Sequence, residues 1–221
     1  SFAGQLESYL FVPKEEVLRK VKQVWKSGFN ERVLSYRKEA GLDIDLKAPA
    51  VLVQRMVNAD VSGVAFAADP VTGNKDVCVI AAVYGLGTGL VSGEFDADTY
   101  HVDQRGQVIK RELVEKNMAH RMDLSGEEGV SSSQVDEVKA KQAALTHDQA
   151  AEIAELTRRA SDFVGSPQDI EWAIENNILY LLQSRAITAL KHLADPAGEL
   201  IIWDNSNLIE SYSGMTTPLT F

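Results

Sequence analysis

The residues with the most chemistry in them lie close together late in the chain. The run Asp169-Ile170-Glu171-Trp172-Ala173-Ile174 alternates polar and apolar residues, and a few positions on Tyr180 and Leu182 interleave with Leu181, Gln183 and Arg185. Carboxylates with an amide oxygen are hard ligands, suited to Mg²⁺, which keeps waters and phosphate oxygens in the rest of its shell. An arginine beside them would meet phosphate charge. The chemistry on offer is metal-assisted handling of a phosphate group. The same four side chains would also serve as a solvated polar face with an ordinary salt bridge, so their arrangement decides.

A strand repeats every two residues, so Asp169 and Glu171 share a face, as do Gln183 and Arg185. Whether these are one face depends on the loop between the strands. A two-residue Asn176-Asn177 turn pairs Ile174 with Leu179 and sets Glu171 opposite Leu182, which separates the acidic face from the Gln/Arg face. A three-residue loop, residues 175–177, pairs Ile174 with Ile178, Trp172 with Tyr180 and Ile170 with Leu182. The second register gathers the large aromatic and β-branched residues on one side, and the buried face sets register. The sequence therefore predicts the three-residue loop, with Asp169 opposite Gln183 and all four polar residues together on the other face.

The elements that must position this hairpin come earlier. Val17, Leu18, Val21, Val24 and Trp25 have helical spacing within residues 14–29, and a second helix is predicted over 31–40 with Gly41 as its cap. Strands are expected at 51–57, 63–67 and 77–83, with a turn at Asp69-Pro70-Val71-Thr72-Gly73. A loop with four glycines, residues 85–93, precedes two further strands at 99–102 and 107–114. Residues 123–141 read as a polar surface excursion. Thr146 and Gln149 form a capping box for a helix closed by Gly165.

At 221 residues the chain can bury a real core, and 45% apolar with 24% charged residues is ordinary for a soluble globular protein. A net charge of −10 argues against a nucleic-acid surface. The apolar runs are too short to span a membrane, and no segment has the order of a signal peptide. The single cysteine, Cys78, excludes an internal disulfide and fits a reducing, cytoplasmic setting. It sits in an apolar run and reads as a buried strand residue. The glycine loop matches neither the Walker pattern nor a dinucleotide fingerprint, and a structural turn is the expected role.

Read together, several segments carry a resemblance. Ser1-Phe2-Ala3-Gly4-Gln5, Val53-Gln54-Arg55-Met56-Val57, Gly63-Val64-Ala65-Phe66, Asp69-Pro70-Val71-Thr72-Gly73, Tyr84-Gly85-Leu86-Gly87 and the hairpin of residues 169–188 follow one another as they do in the nucleotide domain of phosphoenolpyruvate synthases and pyruvate phosphate dikinases. The resemblance implies an α+β fold of the ATP-grasp type, incomplete here, mostly antiparallel with flanking helices. It covers about residues 1–190, with 191–221 a linker toward a phosphohistidine domain.

By the same resemblance Glu171 and Gln183 would hold Mg²⁺ on the phosphates of ATP, Asp169 would support them, and Arg185 would contact phosphate. Gln54 would face the nucleotide, and the backbone of Met56 and Val57 would offer a donor and an acceptor to the base. The implied whole enzyme turns ATP, pyruvate and water into AMP, phosphoenolpyruvate and phosphate through a phosphohistidine. Close alternatives keep the domain and change the acceptor, as in rifampicin phosphotransferase or pyruvate phosphate dikinase; another class is a non-catalytic nucleotide-binding module. The family's upstream lysine and arginine would precede Ser1. None of His101, His120, His147 and His192 stands in a phosphohistidine signature, and nothing resembles the pyruvate-binding barrel. No catalytic residue is therefore expected here, and the piece alone should turn over negligibly. Its expected partners are the nucleotide and the phosphohistidine and pyruvate-binding domains of the same polypeptide.

Overall fold

The computed structural model of the chain describes residues 6–39, 48–124 and 129–187. A 3-10 turn at Lys14–Glu16 leads into α1 (Val17–Ser27), and α2 (Glu31–Glu39) follows, as the spacing predicts. Gly41, Thr188 and the 191–221 linker lie outside the described residues.

The centre of the fold is one six-stranded sheet. Its strands are β1 (Val61–Phe66), β2 (Val77–Tyr84), β3 (Asp98–Asp103), β4 (Val108–Glu112), β7 (Gln168–Glu175) and β8 (Ile178–Ala186), in the order β4-β3-β2-β1-β7-β8. Every neighbouring pair is antiparallel. Between them come a short α3 (Thr88–Val91), the two-stranded sheet of β5 (Met118–Met122) and β6 (Val130–Gln134), α4 (Glu137–Ala140) and α5 (His147–Val164). The fold is α+β, with antiparallel sheets and flanking helices.

The core lies between one face of the large sheet and α5. Ala150, Ile153, Ala154 and Thr157 recur at helical spacing and are buried. The first three cluster with Ala65, Ile80, Tyr100, Ile170 and Trp172 from four neighbouring strands. Burying a side chain such as Ile153 contributes roughly 1.5–3 kcal/mol. The capping box forms as expected, with Thr146 and Gln149 each bonding the other's backbone N–H, and Gly165 ends α5 at φ 80. Gly63 sits where a side chain would collide with the Ala81 carbonyl and press on the Trp172 ring.

Two expectations are corrected. Residues 123–141 are not simply an excursion: Val130–Gln134 pairs with Met118–Met122, and Asp136 caps α4 through Val138 N–H and Lys139 N–H. A serine run with period-two burial can complete a two-stranded ladder without an apolar signature. Residues 51–57 form no strand. They leave Leu52 and Val53 largely exposed, and the Gln54 side chain donates to the Leu182 carbonyl at 3.2 Å. Among the described residues, no helix is long and apolar enough to cross a membrane.

Candidate functional site

The hairpin turns through two residues. Asn176 and Asn177 have φ of 52° and 61°, and Glu175 pairs with Ile178. Positive φ at both central residues marks the primed turn that matches strand twist, which asparagine tolerates. The predicted three-residue loop is thus wrong, and so are its pairings: Ile174 faces Leu179, Ala173 faces Tyr180 and Trp172 faces Leu181. The ladder then shifts between Glu171 and Trp172, leaving Leu182 as an extra residue. Beyond the shift, Glu171 pairs with Gln183 and Asp169 with Arg185. Directly opposed residues share a face, so all four polar side chains do stand together. A bulge performs the parity change that had been assigned to the loop.

Their face is the one turned away from α5. Arg185 Nε donates to both Asp169 oxygens at 2.8 Å, and its hydrogen bond to Asp169 raises the guanidinium pKa further. Burial pushes the Glu171 carboxyl above its usual range, opposed by the Arg185 cation and reinforced by the Asp169 charge. The Glu171 carboxylate has no hydrogen bond among the described residues, and Gln183 is exposed directly across from it. No group of three His, Cys, Asp or Glu side chains among the described residues could hold a metal alone. A half-buried carboxylate without a hydrogen bond, facing an amide side chain, nonetheless suits a cation whose other ligands come from a substrate.

The same face continues sideways and lengthwise. Val64 lies beside Glu171 and Phe66 beside Asp169 on β1, followed by Ala81 and Val79 on β2 and by Thr99 and His101 on β3. This is a partly exposed floor, apolar on β1 and β2 and bounded by Thr99 and His101, with the polar hairpin along the other side. Along β7 the face passes from Glu171 through Ala173 to Glu175, about 13 Å away at roughly 3.3 Å per residue. There a cavity of about 110 Å³ is lined by Gln54, Met56, Val57, Glu175 and Tyr180, with Arg55, Leu181 and Leu182. The structure therefore brings the predicted residues into two groups: Asp169, Glu171, Gln183 and Arg185 on the hairpin face, and Gln54, Met56 and Val57 at the cavity. Glu175 and Tyr180 were missed. The signal for Glu175 was available, because it has the strand parity of Glu171.

The glycine loop is a packed turn. Gly85 has φ 73 and leaves no room for a side chain beneath the His120 carbonyl. Ser62 Oγ donates to the Gly85 carbonyl at 2.6 Å, and Leu86 N–H to that of His120 at 2.9 Å. The His120 ring spans the loop, with Nδ1 2.7 Å from Thr88 Oγ1 and Nε2 3.3 Å from Glu94. Cys78 is buried with its thiol pushed up to about 12, chiefly by burial, which suits a core residue rather than a nucleophile.

Residues 1–199 match the family model described as the pyruvate phosphate dikinase AMP/ATP-binding domain, and the chain belongs to that family. It is 41% identical over 191 residues to a rifampicin phosphotransferase of a Streptomyces species, covering 86% of this chain and 22% of that protein. It is 39% identical over 191 residues to the rifampicin phosphotransferase of Bacillus subtilis, covering 86% and 22%. It is 38% identical over 194 residues to a probable phosphoenolpyruvate synthase of Archaeoglobus fulgidus, covering 86% and 25%. The chain thus spans about a fifth to a quarter of the length of these relatives.

Proposed function

We propose that this chain holds the nucleotide in a phosphotransferase that uses ATP to phosphorylate a histidine elsewhere in the same polypeptide. The observation that carries the reading is the single face shared by Asp169, Glu171, Gln183 and Arg185, with a base-sized cavity further along the same strand. The base would enter beside Gln54 and meet the backbone of Met56 and Val57. Glu171 and Gln183 would hold Mg²⁺, which when bound supplies positive charge to the phosphates, and Arg185 would add a second cation with Asp169 fixing its orientation. Phosphoryl transfer depends on such positioning and charge. Residues 1–190 would be the nucleotide domain and 191–221 the linker, in a cytoplasmic enzyme.

For the final acceptor, pyruvate gives the phosphoenolpyruvate synthase reading, supported by the archaeal relative. The rifampicin phosphotransferases, at 39–41% identity, support an antibiotic acceptor on the same nucleotide domain. Incubating the intact protein with ATP, Mg²⁺ and either pyruvate or rifampicin, and following AMP release, separates them. The shared step is tested by Glu171→Ala, which should abolish ATP-dependent histidine labelling; labelling at the wild-type level would refute the metal role.

A further inference from the structure

We infer that Glu175 selects the base, admitting a 6-aminopurine and discriminating against purines without that amine; this rests on the nucleotide reading above. Glu175 lines the cavity together with the 54–57 segment and Tyr180. Its Oε1 accepts from the Asn58 N–H at 3.3 Å, and its Oε2 has no hydrogen bond among the described residues. The surrounding backbone is tied down, since Asp60 N–H donates to the Ile174 carbonyl at 2.8 Å and Asn176 N–H to Asp60 Oδ2 at 2.8 Å. The cavity therefore has on its wall an acceptor carried by a tied-down backbone.

An ionised carboxylate can only accept. An amine at purine C6 carries two N–H donors, one for a backbone carbonyl of residues 56–57 and one for Glu175 Oε2. A hydrogen at C6 would leave that acceptor unmatched. A 6-oxo group would bring a second acceptor against it, and sites built to hydrogen-bond a substrate group discriminate strongly against analogues lacking it. Tyr180 pairs with Ala173 on this face and Leu182 packs against the cluster of Ala59, Leu86 and Ala173, so the remaining walls suit a flat ring.

The test uses the intact protein with Mg²⁺ and three competing ligands: ATP, purine riboside triphosphate with hydrogen at C6, and inosine triphosphate with an oxo group there. Wild type should favour ATP over purine riboside triphosphate by about ten- to a hundredfold, as expected for a hydrogen bond to a charged group. Glu175→Gln can still accept from the Asn58 N–H while turning an NH₂ donor toward the cavity. Its preference for ATP should fall to within about threefold, and its relative affinity for inosine triphosphate should rise. Glu175→Ala should lose the preference without that rise. If Glu175→Gln keeps the wild-type preference, Glu175 is not the selector and the nucleotide reading stands. If wild type binds none of the three, the nucleotide reading falls and this inference with it.

Discussion

Glu171 faces Gln183 across the hairpin only because Leu182 stands outside the ladder. The two-residue turn and the bulge act as a pair: either alone would put Gln183 and Arg185 on the α5 side. Bulges often re-aim a side chain beside a functional site. Here the extra residue also packs against the cluster of Ala59, Leu86 and Ala173, and its carbonyl accepts from Gln54. One irregularity thus links the polar hairpin face to the cavity.

The turn gives the first prediction. Asn177 has φ 61, a region that costs a residue with a Cβ about 1–2 kcal/mol, less for asparagine. Asn177→Val should therefore lose about 1–2 kcal/mol in denaturant unfolding, and Asn177→Gly should be neutral or stabilising. A valine variant as stable as the parent would show that the turn does not hold this conformation in solution.

The Glu171 carboxyl predicts a pH dependence. Its value in the fold lies above the ordinary 4.5, because burial disfavours the charge. Ionised Glu171 therefore costs stability at every pH above its folded value, and the cost disappears as pH falls through that value toward 4.5. Glu171→Gln should raise the melting temperature near neutrality, with the gain vanishing at about pH 4, below the ordinary 4.5 of a glutamate. A gain that stays constant from neutrality to acid would contradict the burial account.

Arg185 separates stability from binding. Its side chain is 54% exposed and pairs with Asp169, so the pair should contribute no more than about 1 kcal/mol. Arg185→Met should leave unfolding nearly unchanged yet weaken Mg²⁺-nucleotide binding. Arg185→Lys should recover little of that binding, because an ammonium cannot reproduce the planar fork. Equal affinity in all three proteins would remove Arg185 from the site.

Much of this was legible in the sequence, for identifiable reasons. The capping box, Gly165 and the alternation in β7 and β8 are local signals, and the corresponding elements form where those signals lie. The grouping of the four polar residues was also foreseen, but by the wrong route. Parity required one odd residue in the hairpin, and the preference for stacking Trp172 on Tyr180 placed it in the loop. Instead Trp172 is buried in the α5 core while Tyr180 turns to the other face. A bulge leaves no mark in residue types, since Leu181 and Leu182 are interchangeable to any pattern. The 51–57 segment misled for a related reason: its apolar residues lie beside β8 without joining its ladder. The serine-rich β6 carried too little hydrophobic pattern to be seen.

A long-range contact that no local pattern announces gives the last prediction. Asp98 and Lys116 are both buried, with Lys116 Nζ 2.7 Å from Asp98 Oδ1. Asp98 also accepts from Val114 N–H at 3.0 Å and Ala144 N–H at 2.8 Å, while Lys116 Nζ donates to the Val114 carbonyl at 2.9 Å. The Lys116 N–H bonds the Ala140 carbonyl at 3.0 Å, so this pair clasps α4 and the α5 approach to β3. Asp98→Ala would strand a buried ammonium and two backbone donors, at a cost of about 3–5 kcal/mol. Lys116→Met alone would leave the carboxylate its backbone donors and should cost less. The double variant Asp98→Ala with Lys116→Met should recover part of the loss, because no unpaired charge remains. Denaturant unfolding of all four proteins measures the coupling directly. A double variant with simply additive losses would mean that the two charges do not act together.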